Sequence, residues 1–98
     1  MNNYILSPAA QADIDRIWDY TADNWGADRA DRYVREIRRA CASISVDGRE
    51  GRKIFEIKAN YRKLSVGSHF IIFRLVHGQV DVVRVLHQRM DIASHLED

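Results

Sequence analysis

Cysteine, proline and long apolar runs are scarce in this chain, and each shortage excludes something. Cys41 is the only cysteine among 98 residues. An intrachain disulfide and a cysteine-based zinc cluster are therefore excluded, and a reducing cytosol is the expected compartment. No apolar run approaches the roughly 18 residues of a transmembrane helix. The opening residues MNNYILSPAAQ carry no basic start and no long apolar stretch, so a standard secretory signal is not expected. Glycine is also thin. Gly48 and Gly51 are too few and wrongly placed for a phosphate-cradling loop, and the absence of a Gly-x-Ser-x-Gly elbow argues against an esterase. The histidines, His69, His77, His87 and His95, stand far apart and form no His-x-x-x-His pair, so neither a metal nor a cofactor is expected.

What is present is ordinary for a globular domain: 46% apolar and 30% charged residues. The length fits one domain, residues 1–98, and one modest core. The net charge of +1 hides a division. Residues 1–47 hold six Arg against eight acidic residues, for −2, and residues 48–98 hold nine basic against six acidic, for +3. The span 49–63 alone reaches +4, and Arg outnumbers Lys twelve to three. Arg suits planar, bidentate contacts with carboxylates or phosphates. A solvated basic face explains the surplus equally well.

Periodicity divides the chain. Tyr4–Leu6 reads as a short strand. Ser7 offers an N-cap hydroxyl, and the lone proline, Pro8, fits the first helical position. Apolar and small residues then recur at Ala10, Ile14, Ile17, Trp18, Thr21 and Trp25, one helical stripe with Asp13, Asp15, Asp19 and Asp23 mainly off it. Gly26 ends that helix. A second helix follows on the stripe Ala30, Tyr33, Val34, Ile37, Cys41 and Ile44. So short a connection predicts an antiparallel helical hairpin. Asp47–Gly51 reads as a turn, and the period then falls to about two. Strands are expected over Lys53–Ile57, Tyr61–Val66, His69–Val76 and Gln79–Leu86, with turns at Gly67-Ser68 and His77-Gly78. Asp91–Asp98 would add a last helical turn or fray. The expected fold class is α+β, ordered β-α-α-β-β-β, with the helical hairpin on one face of an antiparallel sheet. The other face is short of cover.

Chemistry concentrates in Arg62, Arg74, Arg84, His87 and Arg89. Strand parity places Arg84 with Val80, Val82 and Leu86, and His87 with Val83 and Val85. An exposed Arg/His face could bind a phosphodiester, with arginine stabilising charge and histidine moving a proton. Pairing with Asp81, Asp91 and the helix acids is the structural alternative. Cys41, on an apolar stripe, reads as a buried inert thiol. Trp18 and Trp25, seven apart on one helical face, read as core; Trp25, at the bend, could instead face a partner.

With those residues laid out, the chain resembles the ParE toxins of bacterial type II toxin–antitoxin modules, within the RelE/ParE superfamily. YILSPAAQADIDRIWDYTADNWG, YRKLSVGSHFIIFRLV and VDVVRVLHQRMDIASHL carry the likeness over essentially the whole chain. The resemblance implies the fold expected above and a non-enzymatic poison of DNA gyrase. It also implies a ParD-like antitoxin that neutralises the toxin by direct binding, in a hetero-oligomer. DNA would be met only through antitoxin or gyrase, and membrane not at all. The expected antitoxin contacts are Trp18, Trp25, Tyr33, Arg62 and Arg74. The expected target contacts are Arg84, His87, Arg89 and Met90, with Arg84–Leu96 as the span needed for poisoning. The alternative is a RelE-like, ribosome-dependent mRNA endoribonuclease. Lys58, Arg62 and Arg84 would fill its basic positions, and His87 or His95 would replace a late tyrosine that is missing after Tyr61.

Overall fold

The computed structural model describes residues 4–44, 52–53 and 60–96, the side chains of 52–53 excepted. Their order is β1 (Tyr4–Leu6), α1 (Pro8–Trp25), α2 (Ala27–Ser43), β2 (Arg52–Lys53), β3 (Tyr61–Val66), β4 (His69–Val76), β5 (Gln79–His87) and α3 (Ile92–His95). The turn expected at 47–51, the strand expected at Lys53–Ile57 beyond Lys53, and Lys58 lie outside the described residues.

Local signals decide the ends of the helices. The Ala10 N–H donates to the Ser7 hydroxyl oxygen at 2.9 Å, and Pro8 takes the first turn. Gly26 alone separates α1 from α2, at φ 95° and ψ 160°, a conformation nearly closed to any residue with a Cβ. The Gln11–Arg38 and Trp18–Asp31 side-chain bonds match positions running in opposite directions, so the helices are antiparallel.

The sheet order is β1-β5-β4-β3-β2. β2 to β5 pair antiparallel, as expected of the meander, while β1 lies parallel to β5 at the edge, with Tyr4 opposite Val80. His77 and Gly78 both have positive φ, 50° and 75°, the requirement of the two-residue hairpin turn that matches strand twist.

Two layers of core result. Ala10, Ile14 and Ile17 of α1 and Ile37 and Cys41 of α2 pack on Ile71, Phe73, Val80, Val82 and Val85. Each large apolar side chain buried this way contributes about 1.5–3 kcal/mol. On the opposite face, Tyr61, Ile72 and Leu86 are covered by Ile92 and Leu96. The face expected to lack cover is thus partly capped by α3, which Asp91 starts by accepting the Ala93 N–H at 3.2 Å.

Strand parity in β5 also differs from expectation. Phe73 faces Val82 but Ile72 faces Arg84, so Val83 is an inserted bulge residue. The insertion puts Val85 back on the helix face with Val80 and Val82, and leaves Val83 and Leu86 on the other.

Candidate functional site: a groove between the helical hairpin and the end of the sheet

Asp13 anchors the inner end of the site. It is 5% exposed, three residues from Ala10 and next to Ile14, on the buried side of α1 rather than off the stripe. Its carboxylate accepts Arg84 Nε at 2.7 Å and Arg84 Nη2 at 2.8 Å, a two-pronged pair. It also accepts Arg16 Nη2 at 2.8 Å and the Val85 N–H at 2.9 Å. β1 ends opposite Val82, and beyond it the exposed edge of β5 is bonded by the Ser7 hydroxyl, which donates to the Val83 carbonyl at 2.6 Å, and by Asp13. Arg84 also donates to the His95 carbonyl at 3.1 Å, tying α3 to the same cluster. The Asp13 hydrogen bonds hold the Arg84 guanidinium above its ordinary pKa.

From Asp13 a groove of about 490 Å³ opens between α1, the start of α2 and the ends of β4 and β5. This volume is ordinary for a binding site. Its α1 wall is Arg16, Ile17, Tyr20, Thr21 and Trp25, at helical spacing. Its far wall is Arg29 and Tyr33 of α2, and its floor is Ser68, His69, Val85 and His87, with Met90 beyond. Tyr20 and Trp25 are 64% and 54% exposed and meet edge to face at 6.2 Å. The Arg29 guanidinium lies over Trp25, 5.1 Å from the ring centroid. Of the four exposed large apolar residues among those described, Tyr20, Trp25 and Met90 line this groove and Ile5 does not.

The floor is polar and aromatic. Tyr33 Oη lies 2.6 Å from His69 Nδ1, and the His69 and His87 rings are 5.2 Å apart, edge to face. Burial, and then the neighbouring His87, push His69 down to about 4 against a weaker pull from Asp13, so the ring is neutral at pH 7. Burial pushes the Tyr33 phenol up. Tyr33 also supports the turn between β3 and β4, where it accepts the Ser68 N–H at 3.0 Å.

The residues singled out from the sequence are distributed unevenly around this groove. Trp25, Tyr33, His87 and Met90 line it. Trp18 and Trp25 are not both core: Trp25 is exposed, and Trp18 is half-buried with its indole N–H donated to Asp31 at 2.8 Å. Arg62 stands opposite Phe73 on the helix side of the sheet. Arg74 lies on the other face, 3.7 Å from Asp81 and over the Tyr61 ring. Arg89 is exposed, and its backbone N–H donates to His87 Nδ1. Of the residues of the ribonuclease alternative, Arg62, Arg84 and His87 are not brought together. Arg62 is level with Val82 across the sheet, five positions from His87, or about 16 Å along the strand. Arg84 is held by Asp13. Cys41 is buried and pushed up to about 11, an inert thiol as expected. Among the described residues no three metal-ligating side chains cluster, and no helix is long and apolar enough to cross a membrane. Sequence reasoning missed Asp13, Arg16, Tyr20, Arg29 and His69. Only Asp13 left a signal, three residues from Ala10 and one from Ile14.

A family model described as the ParE toxin of the type II toxin–antitoxin system parDE matches residues 4–92, a span that contains every groove residue. The chain belongs to the ParE toxin family. It is 50% identical over 96 residues to Toxin ParE1 of Mycobacterium tuberculosis, covering 97% of this chain and 98% of that protein. It is 38% identical to Toxin ParE1 of Caulobacter vibrioides, covering 98% and 99%. A solved structure described as a chromosomal ParDE TA system from P. aeruginosa superposes with a TM-score of 0.75 at 21% identity, covering 89% of this chain and 96% of that one. That likeness is one of fold, and it places the helical hairpin on a sheet in the ParE arrangement.

Proposed function

We propose that this chain is the toxin of a ParDE-type module, a single cytoplasmic domain that inhibits bacterial DNA gyrase by binding rather than by catalysis. A ParD-like antitoxin neutralises it by docking a segment in the groove. The observation that carries the docking step is the gathering of Tyr20, Trp25 and Met90, all exposed, beside Arg16 and Arg29. Exposed aromatics in a concave site supply anchoring area, and the two guanidinium groups favour a segment with acidic residues between its apolar ones. A fold solved as part of a ParDE system supports the choice of partner.

Inhibition of gyrase rests on family membership. Arg89 and Met90, exposed just past β5, are the best-placed target contacts beside His87, while Arg84 acts through its hold on α3. The scatter of Arg62, Arg84 and His87 gives no support to an mRNA-cleaving site.

Calorimetric titration of the toxin with its ParD-like antitoxin tests the docking step. Trp25→Ala should weaken binding by about 2 kcal/mol, roughly thirtyfold, with the fold unchanged. Wild-type affinity for both Trp25→Ala and Tyr20→Ala would show that the antitoxin docks elsewhere.

A further inference from the structure

Two histidines lie side by side on the floor of the groove. His69 and His87 are register partners on β4 and β5, so both side chains leave the same face. Each ring has one nitrogen already engaged, and the partners fix which nitrogen carries the proton. The Tyr33 hydroxyl has three neighbours: the Val66 carbonyl at 3.2 Å, the Ser68 N–H at 3.0 Å and His69 Nδ1 at 2.6 Å. A hydroxyl gives one proton and accepts twice. The carbonyl can only accept and the backbone N–H can only donate. All three contacts are satisfied only if His69 Nδ1–H donates to the hydroxyl. His69 Nε2 is then a bare acceptor. His87 is the reverse. Its Nδ1 accepts the Arg89 N–H at 3.1 Å, so its proton sits on Nε2, a donor. Among the described residues no buried side-chain nitrogen or oxygen lacks a partner. The two unengaged Nε2 atoms are therefore open to solvent, on rings that line the groove.

A neutral acceptor beside a neutral donor selects its ligand by chemistry. A carboxylate brings only acceptors, and an ammonium brings only donors. A primary carboxamide brings an acceptor oxygen and a donor nitrogen on one carbon. We propose that this pair reads a primary carboxamide, the side chain of an Asn or Gln on the segment docked in the groove. His87 Nε2–H donates to its carbonyl oxygen and His69 Nε2 accepts from its N–H. That the segment belongs to an antitoxin rests on the docking reading above; the preference for a carboxamide belongs to the two rings. His69, held neutral by burial, keeps its acceptor at physiological pH. Arg16 and Arg29 stand on the helix walls and the two rings on the floor, so the acidic residues of the segment and its carboxamide are met at different places in the groove.

Long-range proton–nitrogen NMR of the histidine-labelled toxin at pH 7.5 tests this directly. His69 should give the pattern of an Nδ1-protonated ring and His87 that of an Nε2-protonated ring. Titration with Nα-acetyl-glutamine methylamide should move both Nε2 resonances. Nα-acetyl-glutamate methylamide at equal ionic strength should bind about tenfold more weakly or worse, because the His69 lone pair faces an anion. Reversed tautomers, no shift with the glutamine probe, or equal shifts with the glutamate probe would each overturn the proposal. An antitoxin that binds outside the groove would overturn the docking reading while leaving these spectra as expected, so the two failures are distinct.

Discussion

Asp13 shows how much one side chain can organise. Its carboxylate takes hydrogen bonds from Arg16, both prongs of Arg84 and the Val85 N–H, and through Arg84 it reaches the carbonyl of His95. Asp13→Ala leaves Arg84, 18% exposed, without its counter-charge and the β5 edge with an unmet donor. The urea midpoint should show a loss of about 3 kcal/mol. Arg16→Ala, at a side chain 67% exposed, should cost no more than about 0.5 kcal/mol in the same assay. His69 makes stability depend on pH. Its folded value of about 4 lies below the ordinary 6.5. Between those values the unfolded chain takes up a proton that the folded chain refuses. Stability is therefore whole above about pH 6.5 and falls as pH drops toward 4. Denaturation midpoints between pH 7 and 5 should decline in the wild type, and His69→Gln should flatten that decline. An unchanged slope would assign the dependence to other groups. None of this is legible from residue spacing, because Asp13 and Arg84 are 71 positions apart.

At the scale of elements, whatever depends on neighbours in sequence was readable. Ser7 and Pro8 mark the start of α1, Gly26 its end, and the paired turn residues the two hairpins. The parallel placement of β1 and the bulge at Val83 were not. β1 finds β5 across the whole chain, and no residue type announces an inserted valine among valines. That one insertion reverses parity for the rest of β5 and brings Val85 and His87 to the helix side, where His69 of β4 stands opposite His87. Gly67 illustrates an element held by a single missing atom. It sits at φ +55°, and a Cβ there would lie 2.7 Å from the Tyr33 ring and hydroxyl, whereas Gly78, at φ +75°, faces open space. Gly78→Ala should cost about 1 kcal/mol, from backbone conformation alone. Gly67→Ala should cost about 2–3 kcal/mol, because Tyr33 must also move. Thermal unfolding of the two variants checks the difference, and equal losses would mean that the turn yields without disturbing Tyr33.

The whole molecule assembles its groove from pieces that mean little singly: a helix wall, the first turns of a second helix, one hairpin turn and the end of the last strand. Family likeness therefore carried the reading of function further than any motif. Geometry then divided the candidate residues into those the groove exposes, Trp25, His87 and Met90, and those the fold engages, Arg84 and Trp18. The C-terminal segment serves the fold as well as any target, since Ile92 and Leu96 close the second face of the sheet. Under the proposed function this binding domain stops gyrase and is released from it by antitoxin. A supercoiling assay with purified toxin, gyrase, relaxed plasmid and ATP, run with and without a ParD-like antitoxin, tests it most directly. Loss of supercoiling with accumulation of linear, protein-linked DNA, both reversed by antitoxin, is the expected result. Gyrase left fully active by a preparation that still arrests growth would contradict it.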